Sequence, residues 1–422
     1  MLLGNKRICI HRDKQLALLS TSDYGQKWLN NFDDSDRIVA SLLIDNLMLV
    51  GASEFNSIIN AKLISIAKQA IEDKQAISFF AEREVAKEDH KIKAIFPNTE
   101  TGRAVGDGVP PVQVDPAKQD VGSEGIVAAL ISKLCKANKS SCLSHAGPTL
   151  LRSKRVKKIV IVTDFIGSGR RLYDMLDAFS KVASISSWRS YKRITFEVVC
   201  YSATESGLKW VESHSLKPNV QVHIACPTID EIFEGHELGA IKQLCEKYPK
   251  RTRFAFGFGH KGSLIVFSHG IPNNAPAILY NSAGGWSPLF EGRSTAEADI
   301  DAIADPADML VANSEKVLKI RNARKLLQNT ESELWVHSIL ILNAIKKGHR
   351  TKTRLSGWTQ IPLSQVQLVL ALALEAKWLT PHNTLTALGR RELRRSKWFK
   401  LPDETIAPQS DALYFPTQLR AP

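Results

Sequence analysis

Hydrophobic positions recur along this chain in two alternating rhythms. Between about Asp34 and Asp73 the residues Leu42, Leu43, Leu47, Leu49, Ile58, Ile59, Leu63, Ile64, Ile66 and Ile71 carry helical spacing. Residues 76–81 form a short apolar run that predicts a strand, and Glu82-Arg83-Glu84 follows it at once. Residues 97–125 are rich in Gly, Pro and polar side chains and read as a long loop, a length usually reserved for function or disorder. Residues 126–136 read as a helix, with Gly122-Ser123-Glu124-Gly125 at its start. The strongest pattern begins at Ile159. An unbroken β-branched run ends in Thr163-Asp164, a small turn Gly167-Ser168-Gly169-Arg170-Arg171 follows, and residues 172–179 are amphipathic. That order predicts a buried parallel strand, a phosphate-sized turn and a helix. Strands are predicted again at 194–201 and 220–225, with a helix at 210–214 between them. Strand, helix, strand at this spacing implies right-handed crossovers and a parallel sheet. Residues 263–267 read as a further buried strand. The turn-rich stretch 269–276, then 275–280 and 283–286, close this unit near Arg293.

The pattern changes after that. Residues 295–330 are polar and read as a helical connector between a first domain, 1–294, and a last one, 331–422. Leu334, Trp335, Ile339, Leu340 and Leu342 mark one helix, and 362–379 a long apolar one with Pro362 in its first turn, where a missing N–H costs little. A turn at Thr380-Pro381-His382-Asn383 and a basic run from Gly389 to Arg395, read as a hairpin, complete a winged-helix order.

Composition narrows the setting. At 422 residues, 44% hydrophobic and 23% charged, the chain reads as a soluble protein of two or three domains. Its net charge of +13 is uneven: residues 336–422 hold 13 basic against 5 acidic side chains, which points to a polyanion or to an ordinary basic surface. The six cysteines have no CxxC or finger spacing, and Cys9, Cys200 and Cys226 sit in apolar runs, so buried free thiols in a reducing cytoplasm are expected. The start lacks the apolar core of a signal peptide, and no run reaches membrane-spanning length, so no membrane partner is expected. No metal site is read from spacing. His260 and His269 lack a spaced partner and receive no role, and no Ser-His-Asp or Cys-His arrangement stands out.

Candidate chemistry centres on the turn after Asp164. Backbone N–H groups at a helix start hold phosphate, and the helix dipole favours the charge. Asp164 is the candidate catalytic acid: it would orient sugar hydroxyls directly or through Mg²⁺, and its carboxylate would favour positive charge developing on the sugar. The alternative is a strand-end acid with no ligand. Thr163, Gly167, Ser168, Gly169, Arg170 and Arg171 are the candidate phosphate and ribose contacts. Two arginines at a helix start are better explained by an anion than by the dipole, which repels them. Ser123 and Glu124 open a helix, and the glycines that flank them make a substrate loop there a candidate; Glu124 also suits a plain helix-start acid. Asn273 and Asn274 suit a turn. In the last domain Lys352, Arg354, Arg390, Arg391, Arg394 and Arg395 are the candidate nucleic-acid contacts, with backbone-dominated, salt-sensitive binding expected. A winged helix used only for protein association is the competing reading.

The strand ending in an acid, the Ser168-Gly169 turn and the helix resemble the phosphoribosyltransferase fold. That fold has two acids at the strand end and a Thr-Gly-Gly-Thr loop; here Thr163 replaces the first acid, and Arg170 and Arg171 replace small residues. Together with Gly122-Ser123-Glu124-Gly125, Phe256-Gly257-Phe258-Gly259, Pro272-Asn273-Asn274, Gly284-Gly285-Trp286 and the C-terminal winged helix, the chain resembles the phosphoribosyltransferase-like effectors of bacterial retron antiphage systems. The resemblance implies an α/β fold with a parallel sheet flanked by helices. It implies that Glu82 and Arg83 lie where a pyrophosphate loop begins, although a surface ion pair suits them too. It also implies a phosphorylated ribose ligand and glycosyl transfer or cleavage at its C1. The implied partners are a reverse transcriptase and its branched RNA–DNA, which restrain toxicity. A non-enzymatic, nucleotide-sensing DNA-binding regulator is the alternative.

Overall fold

Helical and strand segments alternate in the computed structural model, which describes residues 18–112, 123–249, 254–282, 285–295, 300 and 330–395. The N-terminal region forms α1 (Asp23–Leu29), α2 (Asp34–Ile44), β1 (Met48–Val50) and α3 (Ala52–Glu72). The helical rhythm expected from Asp34 to Asp73 is therefore two helices split by a strand. Leu47 and Leu49, read as helical, belong to the extended link and to β1, because this segment pairs in parallel with β9 (Ile265–Phe267). The buried stripe Phe55, Ile59, Leu63, Ile66 and Ala70 carries α3 onto the sheet.

The central sheet comprises β2 (Ile77–Ala81), β5 (Cys142–Ser144), β6 (Lys158–Ile166), β7 (Thr195–Ala203) and β8 (Asn219–Ala225). Its order is β5-β2-β6-β7-β8, parallel throughout. A small hairpin, β3 (Lys87–Glu88) with β4 (Lys91–Ile92), follows β2. The crossover helices are α4 (Ser123–Ala137), α5 (Pro148–Ser153), α6 (Arg170–Ser180), α7 (Ala183–Ser190) and α8 (Glu205–Glu212). After β8 come α9 (Ile229–Ile232) and α10 (Gly235–Lys247). The run Ile159–Val162 is central because both its faces are covered. Val160 and Val162 pack with the α3 and α4 side, and Ile159 and Ile161 with the α6 and α7 side. Each such side chain contributes about 1.5–3 kcal/mol by leaving water. The strand expected at 263–267 does not extend this sheet, since β9 pairs with β1 instead.

The C-terminal helices are α11 (Thr330–Lys346), α12 (Lys352–Thr359), α13 (Leu363–Glu375) and α14 (Ala387–Arg395). The basic run expected as a hairpin is α14, a helix whose buried stripe Gly389 and Leu393 turns the four arginines outward. The antiparallel turn lies earlier, at the Leu379–Leu385 bridge. Helices α12 and α13 cover β8, the edge strand of the central sheet. Ser356, fully buried, accepts from the Ala225 N–H at 3.1 Å and donates to the Ile361 carbonyl at 2.7 Å. Most of the connector expected over 295–330, together with Cys9 and residues 396–422, lies outside the described residues. Cys135, Cys142, Cys200, Cys226 and Cys245 are buried free thiols, as the sequence suggested for two of them. No described helix is long and apolar enough to cross a membrane.

Candidate phosphoribosyl site

Parallel strands deliver their C-terminal ends to one edge, and the end of β6 places Thr163 and Asp164 there. The Asp164 carboxylate is 18% exposed and well partnered. Its Oδ1 accepts from the Phe165 N–H at 2.8 Å, and its Oδ2 lies 3.1 Å from His269 Nε2. Burial pushes this carboxyl up. The hydrogen bond and charge of His269, the Ser123 hydroxyl and the Phe165 N–H outweigh it and hold Asp164 below the usual carboxylate range. His269 follows β9 by two residues, stacks on Phe267 at 4.9 Å and meets the Phe55 ring at 5.1 Å.

Glu82 comes from the neighbouring strand, just past β2, where its N–H pairs with the Val162 carbonyl. Its carboxylate is buried and accepts from the Thr163 hydroxyl at 2.6 Å; Thr163 Oγ1 is 3.3 Å from Asp164 Oδ1. Burial raises the Glu82 carboxyl, against the pull of Arg171 and the Thr163 bond, and the charge of Asp164 raises it further. Two carboxyl groups therefore flank one hydroxyl, one held ionised and one biased towards its neutral form. Among the described residues no three His, Cys, Asp or Glu side chains group as a metal cage. Mg²⁺ commonly uses one or two carboxylates plus substrate phosphates, and Asp164 with Glu82 is a donor set of that kind.

The turn after β6 is tightly backed. Gly169 has φ 77°, the left-handed conformation that frees the chain to enter α6. Gly167 is pressed against the Asn274 side chain: an added Cβ would lie 2.0 Å from Asn274 Oδ1. Asn274 is fixed in turn by donating to the Phe258 carbonyl at 2.8 Å. On another side the Thr204 hydroxyl donates to the Gly167 carbonyl at 2.6 Å and accepts from the Gly207 N–H at 3.0 Å. The first-turn N–H groups of α6 have no intrahelical acceptor, and an anion satisfies them well. The Ser168 hydroxyl takes only a long bond, 3.4 Å, from the Arg170 N–H.

The sequence-predicted residues divide in three. Asp164, Thr163, Glu82, Ser123 and the turn Gly167-Ser168-Gly169 meet at one sheet edge. Arg171 is there too, but paired with Glu124 at the start of α4, while Arg170 is exposed. Arg83 points elsewhere, donating to the Pro110 carbonyl at 3.0 Å. The C-terminal residues form two groups. Lys352 and Arg354 open α12, where Arg354 Nε is 3.6 Å from Glu205 Oε2. Arg390, Arg391, Arg394 and Arg395 share the exposed face of α14, with Arg395 3.2 Å from Glu392. Sequence reading passed over His269, Thr204 and Gly207, and took Asn274 only as a turn former. The usable signal for His269 was its place two residues beyond a buried strand.

A family model described as PRTase-CE matches residues 26–291, and a second, described as wHTH-PRTase associated, matches residues 339–421. No curated protein and no solved structure matches the chain.

Proposed function

Because the chain belongs to the PRTase-CE family, we propose that its site binds a phosphorylated ribose compound and makes or breaks the bond at C1 of the sugar. The observation that carries this reading is the Asp164 carboxylate, kept ionised beside His269 and one short turn from the N-terminus of α6. The ligand's phosphate lies on the turn amides, and Asp164 receives the ribose hydroxyls. As the C1 bond stretches, positive charge grows on the sugar, and a fixed carboxylate in a water-poor edge stabilises it. His269 holds Asp164 in place. Asp164 and Glu82 would hold Mg²⁺, which would neutralise the ligand's phosphates.

At the scale of the whole chain, the reading is a retron-associated antiphage effector. A reverse transcriptase and its branched RNA–DNA product hold it inactive through the winged helix, and infection releases it in the cytoplasm. Support comes from the pairing of the two domains and from the outward arginine face of α14. A second reading, a non-enzymatic nucleotide sensor that binds DNA, is favoured by one observation: Arg171, a candidate phosphate contact, has its charge paired with Glu124.

Calorimetric titration with phosphoribosyl pyrophosphate and Mg²⁺ tests the site. Binding by the wild type and a loss of about tenfold or more in Asp164→Asn are expected. Equal affinity in both would refute the placement of the ribose. Expression of wild type and Asp164→Ala without partners, with metabolite profiling, separates the two readings. Growth arrest with nucleotide depletion only in the wild type supports the effector, and equal toxicity supports the sensor.

A further inference from the structure

Arg354 belongs to the winged helix by sequence, yet its guanidinium faces the other domain. Its Nε is 3.6 Å from Glu205 Oε2, and Glu205 is the first residue of α8. Glu231, in α9 and facing Gly357 of α12, adds a second carboxyl. Burial raises it, the Thr228 bonds oppose that, nearby Glu205 raises it further, and Arg354 draws it down. Arg354 therefore reaches Glu205 from across the junction, beside the Lys209–Glu205 pair within α8 at 2.8 Å. Beside it, the buried Ser356–Ala225 bond fixes α12 to the end of β8.

The first turn of α8 has a second task. Thr204, its N-cap, donates to the Gly167 carbonyl, and Gly207 packs so closely on that carbonyl that an added Cβ would lie 2.2 Å from it. Ser206 accepts from Lys261 at 2.8 Å, next to Gly259, which faces Ser168. Residues 204–207 are thus gripped by the winged helix on one side and hold the phosphate loop on the other. Arg354 also stands in the exposed, basic first turn of α12 with Lys352, where a nucleic-acid phosphate would draw it. A guanidinium drawn to such a phosphate gives up Glu205.

We propose that Arg354 couples the winged helix to the phosphate loop: paired with Glu205 it holds the first turn of α8 against Gly167, and a nucleic-acid phosphate that takes Arg354 loosens that turn. Arg354 is a positioning residue, acting through Glu205 and Thr204. The proposal stands apart from the ligand assigned to Asp164, because its readout is the loop's own motion.

Hydrogen exchange of the full chain tests it at three amides: Gly207 and Leu208, bonded to Thr204, and Tyr173, bonded to the Gly169 carbonyl. Arg354→Ala and Glu205→Gln should each speed exchange at these amides about two- to five-fold, the range expected for releasing one exposed ion pair. Glu205→Gln also removes the Lys209 pair within α8 at 2.8 Å, so the decisive comparison is within that background, where adding Arg354→Ala should change nothing more. A short duplex DNA should produce the same acceleration in the wild type and none beyond it in Arg354→Ala. Wild-type exchange in Arg354→Ala overturns the proposal. So does DNA that binds without changing exchange, or that fails to bind. Should Arg354→Ala fold poorly, Glu205→Gln leaves the winged helix intact, and wild-type exchange in that variant is equally fatal.

Discussion

Gly207→Ala measures how firmly α8 braces the loop after β6, because two known effects oppose each other there. Alanine is favoured over glycine within a helix by about 0.8–1 kcal/mol. Against this, the new methyl would lie 2.2 Å from the Gly167 carbonyl oxygen and 3.0 Å from Thr204 Oγ1, so α8 and the loop must part. Overpacking of this kind costs about 1–3 kcal/mol. Parting also weakens the Thr204 hydroxyl bonds to Gly167 and Gly207, each worth about 1 kcal/mol. The sum is a net loss of about 1–3 kcal/mol after the helix gain. In a domain of this size that is a fall of about 3–8 °C in melting temperature, read by differential scanning calorimetry. A variant that melts at or above the wild type would show that propensity wins and that α8 does not press on the loop. The reasoning would then be wrong at its first step.

Three further outcomes are expected. Thr163→Val leaves the buried Glu82 carboxyl without its 2.6 Å donor and should cost about 1–3 kcal/mol in denaturant unfolding, with Thr163→Ser restoring most of it; an unchanged midpoint would separate Glu82 from Thr163. His145 accepts the Ala81 N–H at 2.9 Å, and burial, with Arg83 nearby, pushes its ring down to about 4. The unfolded chain takes up that proton near pH 6.5, so this stabilisation is complete above about 6.5 and drains away as the pH falls to about 4, by up to about 3 kcal/mol. His145→Gln should flatten the melting temperature across that window, while His223, also pushed down to about 4, keeps part of the slope; an identical pH profile would count against the assignment. Arg390→Ala with Arg394→Ala should reduce the slope of log affinity against log salt for duplex DNA by about 2, since each phosphate contact contributes about 0.9. An unchanged slope would remove α14 from the interface.

The strand-turn-helix around Asp164 was legible because local chemistry decides it. A β-branched run is stable only when buried on both faces, and the glycines that follow permit a turn most residues resist. The parallel sheet followed from strand and helix spacing. Element type was less secure where burial overrides rhythm. Met48–Val50 lies between two helices and became a strand because Ile265–Phe267 offered it a parallel partner far along the chain. The basic run from Gly389 to Arg395 became a helix because Gly389 and Leu393, four apart, both found a core.

The partners of Asp164 could not be read in one dimension. Glu82 is 82 positions away, and His269 105 positions away, on separate segments. Only strand order and the return of β9 bring them to the same carboxylate. Arg354 makes the same point with opposite effect. By sequence it is one more surface cation, and by structure it faces Glu205 across the junction of two domains. Sequence alone determined the strand, turn and helix around Asp164 and where charge would gather, because those follow from neighbours along the chain. The tertiary structure decided which charges meet and which hydroxyl lies between two carboxyl groups, because those depend on strand order and on which edges find cover.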